Sequence, residues 1–183
     1  MKRIPLSLFI LLCLPVMLTS MSTSQTRWMV GGRLGMSLYT ISSSGGGYYD
    51  YYYGYVGATS TSTTSAGLQI GPMGEVIFNK QFAVGTEFNI NTQAGTPIQW
   101  ASYFKTYFNI KGSTIKPYAD LGFSLFFVTG GPYFCIQGGG GAMFEIDKNL
   151  YIPADIELGP VFLGGALGTG FYLAVTTGIR YII

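Results

Sequence analysis

Two acids, Asp155 and Glu157, stand two residues apart in the run 150–162 and so share one face of any strand built from it. Such a pair can do acid–base work when its surroundings separate the two pKa values. The rest of the chain gives that chemistry no help. It contains no histidine, so Ser–His and Asp–His mechanisms and any histidine-containing metal site are absent. Packing against arginine is the simpler account of the two acids. The glycine clusters Gly31-Gly32 and 138–141 precede no helical stretch and are not phosphate loops. Cys13 lies in an apolar leader, without the small upstream residues that lipid attachment wants. Cys135 is then alone and reads as a small filler near a strand end. No catalytic residue, metal ligand or cofactor is assigned.

One other segment could bind something. The connection 41–64 holds Tyr48, Tyr49, Tyr51, Tyr52, Tyr53 and Tyr55 among glycines and serines, followed by a nearly pure Ser/Thr tract. Tyrosine offers flat amphipathic surface at low entropy cost on a mobile backbone, which suits stacking on a glycan or similar surface ligand. The same rings could instead rest at the headgroup level of a membrane.

The elements that carry these residues follow from parity. In 82–91, Phe82, Val84, Phe88 and Ile90 alternate with Ala83, Gly85, Glu87, Asn89 and Asn91; 171–183 behaves alike. Successive strand side chains point to opposite faces, so these strands are two-faced. Eight segments follow one another without a helical stretch: 27–40, 65–78, 81–92, 99–110, 115–128, 133–146, 150–162 and 171–183. Short polar turns at 79–80, 111–114 and 147–149 alternate with the connections 41–64, 93–98, 129–132 and 163–170, expected to be longer. Pro72, Pro117, Pro153 and Pro160 fall inside strands, and each is expected to cause a local break.

Residues 1–24 fall outside this pattern. Lys2 and Arg3, an apolar run over 4–18 and a small polar stretch ending Ser22-Thr23-Ser24 have the three-part layout of a secretory signal, with cleavage expected before Gln25. The apolar run is short of the roughly 20 residues a spanning helix needs. Residues 25–183 then form one domain. Without Lys2 and Arg3 it is formally neutral, with eight basic and eight acidic residues, and has no basic tract for nucleic acid.

Parity does not say which face points inward, since a soluble lipocalin-like barrel has the same alternation reversed. Composition does. Only 10% of residues are charged while 48% are hydrophobic and 16% aromatic. The large apolar set exceeds what eight strands enclose. An all-β, eight-stranded antiparallel up-and-down transmembrane barrel satisfies both, because every backbone group is paired between strands. The expected interior polar network is Arg33, Glu75, Glu87, Lys105, Asp120, Glu145, Asp155, Glu157 and Arg180. Folding about the short loops puts Glu87 opposite Lys105, Asp155 diagonal to Arg180, and Gly139 and Gly141 against Glu157 and Asp155. Trp28, Phe78, Phe82, Trp100, Phe108 and Tyr181, near strand ends, are the expected aromatic girdle.

The chain resembles the small outer-membrane barrels that include OmpX and the transmembrane domain of OmpA. The resemblance rests on the leader, the alternating strands, the loop asymmetry and the stretch Lys116-Pro117-Tyr118-Ala119-Asp120-Leu121-Gly122. The last strand, with Val175, Ile179, Tyr181 and Ile183 on one face, is similar to the signal read by the barrel-assembly machinery, although the family usually ends in phenylalanine. The resemblance implies an outer membrane of Gram-negative type as the location, its lipid and the assembly machinery as partners, and a non-enzymatic envelope or surface-binding role. A narrow pore is the alternative. A lipid-modifying barrel enzyme of the wider group would rely on a histidine that is missing here.

Overall fold

The computed structural model describes residues 26–44, 48–50, 54–56, 60–92, 98–128, 131–162 and 169–183; the expected leader over 1–24 and the expected cleavage before Gln25 lie outside them. The strands are β1 (Arg27–Ser44), β2 (Tyr48–Asp50), β3 (Gly54–Val56), β4 (Ser60–Phe78), β5 (Phe82–Asn91), β6 (Ile98–Tyr107), β7 (Ile115–Val128), β8 (Gly131–Asp147), β9 (Leu150–Phe162) and β10 (Thr169–Ile182). Eight of them close antiparallel into a barrel in the order β1-β10-β9-β8-β7-β6-β5-β4, while β2 and β3 form a separate small hairpin. No strand edge is left within the barrel wall, which is the condition for crossing lipid without a helix.

Register fixes the barrel's shape. Stepping across paired residues from Gly31 leads through Met73, Glu87, Ala101, Ser124, Cys135, Val161 and Gly170 back to β1 at Ile41, ten residues beyond the start. With about 3.3 Å per residue and about 4.8 Å between strands, that stagger means a tilt of roughly 40°.

Alternation is strict on β5 and β9, where every second residue is buried. The apolar parity faces outward. Trp28 is 60% exposed and Leu121 64%, and Met36, Ile70, Phe88, Ile156 and Val175 lie on the same outer surface. Rings collect at two levels of that surface. Phe144 and Phe134 on β8, and Tyr181 and Phe171 on β10, are ten residues apart in each case. At the barrel's tilt this is about 25 Å, the height of the apolar band of an outer-membrane barrel. Trp28, Phe78, Phe82, Phe108 and Tyr181 belong to the lower level, beside the short turns. Trp100 stands toward the other rim, its Nε1 donating to Thr86 Oγ1 at 2.9 Å, in a row of ring contacts running Phe88, Trp100, Phe123, Phe134, Phe162.

The short turns differ in hand. Asn79 and Lys80 both have positive φ, 51° and 58°, and Gln81 N donates to Phe78 O at 3.1 Å. Two left-handed central residues match the right-handed twist of a hairpin, yet lysine is strained there. Lys80→Gly is therefore expected to stabilise the barrel by about 1 kcal/mol, read as a higher urea midpoint at unchanged slope. Gly112 supplies the positive φ, 76°, of the second turn. The third, across the pair Asp147↔Leu150, has no positive φ, and a register shift between Glu145 and Asp147 absorbs the mismatch in twist.

One expectation is narrowed and two need correction. The prolines interrupt one ladder rather than the strand: near Pro72, Pro153 and Pro160 the expected local breaks are rungs missing on one side only, and the register continues unchanged beyond them. Each lacks an N–H for one neighbour alone, so the other ladder stays intact. The connection at 129–132 is not a longer loop, because Val128 pairs with Gly131. Much of 41–64 is strand rather than loop, since β1 and β4 remain paired up to Ser44↔Ser60. Serine and threonine have β-compatible backbones, and composition alone made the tract read as a loop.

Candidate functional site: a charged lumen between two unlike rims

The inward parity stacks in layers. Nearest the short turns lies an apolar floor of Met29, Ile77, Ala83, Tyr107, Tyr118, Met143, Tyr151 and Ile182. Above it, Glu75 gathers cations and hydroxyls: Lys105 Nζ at 2.5 Å, Tyr103 Oη at 3.0 Å and Tyr107 Oη at 2.5 Å donate to its carboxylate. Arg180 stands 3.8 Å from the same group while its Nη2 donates to Asp155 Oδ2 at 2.6 Å. Lys105 Nζ also lies 4.6 and 4.5 Å from the ring centroids of Tyr103 and Tyr118. Higher again, Arg33 forks: Nη1 donates to both oxygens of Glu87 at 2.6 and 2.7 Å, Nη2 lies 2.8 Å from Glu157 Oε1, and Nε donates to Thr176 Oγ1 at 2.8 Å.

An amide layer follows. Gln69 Nε2 donates to Gln99 Oε1 at 3.0 Å, Asn89 Nδ2 to Glu87 Oε1 at 2.8 Å, and Tyr172 Oη to Gln69 Oε1 at 3.1 Å. The upper plug is Tyr39, Phe126, Cys135, Val161, Tyr172 and Ala174. In it Tyr39 meets Phe126 edge-on at 4.8 Å between centroids. Cys135 is thus a buried small residue beside aromatic rings.

Seven of the nine expected network residues lie in these layers. Asp120 is half-buried on the same face, opposite Lys105 on one side and Gly139 on the other. Glu145 is not in the network: it is on the rim, 3.3 Å from Lys116 Nζ. Asp155 and Arg180 meet diagonally, and Gly139 and Gly141 lie against Glu157 and Asp155. A Cβ on Gly139 would come 3.0 Å from both Asp120 Oδ1 and Glu157 Cγ and would strike Ile156 O, so only glycine leaves the acids their room.

Glu87 does not face Lys105. It pairs in register with Ala101, and Lys105 with Ala83. The four-residue offset is about 13 Å along the strand. Tilt instead brings Lys105 level with Glu75, two strands away, and gives Glu87 to Arg33. Sequence reading also left out Tyr103, Tyr107 and Gln99. The signal was available, since all three share the parity of Lys105.

The lumen holds Glu75, Glu87, Asp120, Asp155 and Glu157 against Arg33, Lys105 and Arg180. Consistent with that acid excess, Asp155 Oδ1 and Glu157 Oε2 accept no hydrogen bond among the described residues. Among those residues no three His, Cys, Asp or Glu side chains are placed to hold a metal ion. Of the first connection, the hairpin pairs Tyr48↔Val56, Tyr49↔Tyr55 and Asp50↔Gly54 are described; Tyr51, Tyr52 and Tyr53 lie outside the described residues.

No family model matches the chain, and no curated protein does. Solved structures do. The N-terminal β-barrel domain of Pseudomonas aeruginosa OprF superposes with a TM-score of 0.55 at 12% identity, covering 88% of this chain and 100% of that one. Neisserial surface protein A (NspA) gives 0.51 at 16% identity, covering 84% and 96%. The chain is a closed eight-stranded antiparallel β-barrel with the fold of the small outer-membrane barrels.

Proposed function

We propose that this protein is a non-enzymatic outer-membrane barrel that presents its first loop at the cell surface for binding. The observation that carries the reading is the extension of β1 and β4. Past the rung Thr40↔Thr64 they stay paired for four more, from Ile41↔Thr63 to Ser44↔Ser60. Those rungs raise the chain about 10 Å above the upper aromatic ring. The stalk is uncharged, with Thr40 and Thr64 hydroxyls 3.1 Å apart, and the β2–β3 hairpin, which pairs Tyr49 with Tyr55, follows it in sequence. A paired ribbon followed in sequence by a tyrosine-rich segment suits stacking on a glycan or other surface ligand. The outward row Val175, Ile179 and Tyr181 on β10 supports recognition of that strand by the barrel-assembly machinery.

Deleting 45–57 is expected to abolish adhesion of expressing cells to a glycan-coated surface while leaving the heat-modifiable gel shift of the folded barrel intact. Adhesion that survives the deletion would refute the binding role. A pore is the less favoured reading, because tyrosine-rich plugs fill the lumen above and below the charged layers. Eight strands enclose little more than their own side chains. Planar-bilayer recordings should stay at baseline, and steady unitary currents would overturn the sealed lumen.

A further inference from the structure

We propose that the short-turn mouth of the barrel is an oxyanion-binding site suited to a phosphate group. Charge is distributed unevenly along the barrel axis. Outside the lumen, the charged residues of 26–183 are Asp50 in the first connection and Arg27, Lys80, Lys111, Lys116, Glu145, Asp147 and Lys148 on the short-turn rim. Both acids of that rim are engaged: Glu145 with Lys116, and Asp147 Oδ1 as acceptor from Lys148 N at 2.7 Å. Arg27 and Lys80 make no ion pair among the described residues. The opposite rim carries no cation among them.

Three of the cations converge on one cavity. It has a volume of about 120 Å³, with Arg27, Lys80, Lys116 and Asn109 at its polar edge and the apolar floor, including Ile77, Met143 and Ile182 beside Tyr107 and Tyr151, beneath. That is room for several waters or for one small oxyanion. The wall is partly fixed in advance. Lys116 Nζ donates to Tyr151 Oη at 2.7 Å and lies 4.3 Å from that ring's centroid, and Asn109 Nδ2 donates to Lys80 O at 2.8 Å, tying down the turn that carries Lys80. Lys116 is shared with Glu145, so the net positive charge comes from Arg27 and Lys80, which have no carboxylate partner among the described residues and suit an oxyanion. The phosphate could belong to a lipid headgroup or to a soluble ester. This site lies on the rim opposite the first loop and does not depend on that loop's role.

The test uses isotope-labelled barrel folded in an uncharged detergent and titrated with inorganic phosphate, followed by the amide signals of Lys80, Asn109 and Lys116. Saturable shifts at these positions are expected. Arg27→Gln and Lys80→Gln should each weaken binding about fivefold, while Lys111→Gln, on the same rim but outside the cavity, should leave it unchanged. Retained heat-modifiability shows that each variant folds. Repeating the titration with dihexanoyl phosphatidic acid separates the sources. Tighter binding than phosphate, with added shifts at Trp28 or Phe108, assigns a lipid headgroup, and equal binding assigns a soluble ester. Shifts that never saturate, or a Lys111→Gln effect as large as that of Lys80→Gln, overturn the site.

Discussion

Lysine in place of Leu121 lowers the stability of the barrel in a bilayer by about 2–4 kcal/mol, and lysine in place of Val84, nearer the lower ring, lowers it by less. Both positions lie between the two aromatic levels, on the outer parity of β7 and β5, with Leu121 64% and Val84 42% exposed. Exposure there means contact with hydrocarbon, so an ammonium must snorkel to the headgroups or draw water inward. The sign distinguishes the membrane barrel from a soluble one. On a soluble barrel an outward lysine replacing an exposed leucine would be neutral or helpful. Urea unfolding of each variant in lipid vesicles checks it. Wild-type midpoints for both, or a parent chain that stays monomeric without detergent, would mean the apolar flank is not wetted by lipid. The same lysine at Trp28, in the lower ring, should cost no more than about 1 kcal/mol in charge burial, because depth sets that cost.

The fold was legible because one constraint repeats down the chain. Lipid outside and packed polar groups inside force period-two alternation on every strand, and β7 and β9 could be bounded from sequence at their observed ends, 115–128 and 150–162. Where that constraint lapses, so does legibility. Above the upper ring Ser42 and Ser62 are both exposed and carry no apolar alternation, so the paired stalk looked like a loop. The prolines were half legible, since the breaks they cause are confined to one ladder. A rule for isolated strands expects a break, whereas in a closed wall each strand is held on two sides and one ladder suffices.

The lumen was read less well. Parity identifies which side chains point inward but not their height, and height follows from a stagger that accumulates around the whole wall. One hairpin estimate misplaced by four residues was enough to exchange the partners of Glu87 and Lys105. Partners two strands apart, such as Glu75 and Lys105, become neighbours only once the tilt is known. The tyrosines on Glu75 were hidden differently, because an inward Tyr103 or Tyr107 reads as filler until an acceptor is placed beside it.

The unequal roles of Glu75 and Glu87 give the second large effect. Glu75→Ala is expected to cost about 3–5 kcal/mol, the usual penalty for removing one member of a buried ion pair. It strands Lys105, whose Nζ has Glu75 as its ion-pair partner, and removes the acceptor of two tyrosine hydroxyls, while Arg180 keeps Asp155. Glu87→Ala should cost less, because Arg33 retains Glu157 and Thr176. The two are compared by urea unfolding in the same vesicles. Adding Lys105→Met to Glu75→Ala should then restore part of the loss, since the stranded charge is gone. The recovery stays incomplete because Tyr103 and Tyr107 still lack their acceptor, at about 1–3 kcal/mol for each buried unsatisfied group. If Glu87→Ala proves as damaging as Glu75→Ala, or Lys105→Met rescues nothing, then Glu75 is not the group around which the lower half of the lumen is organised.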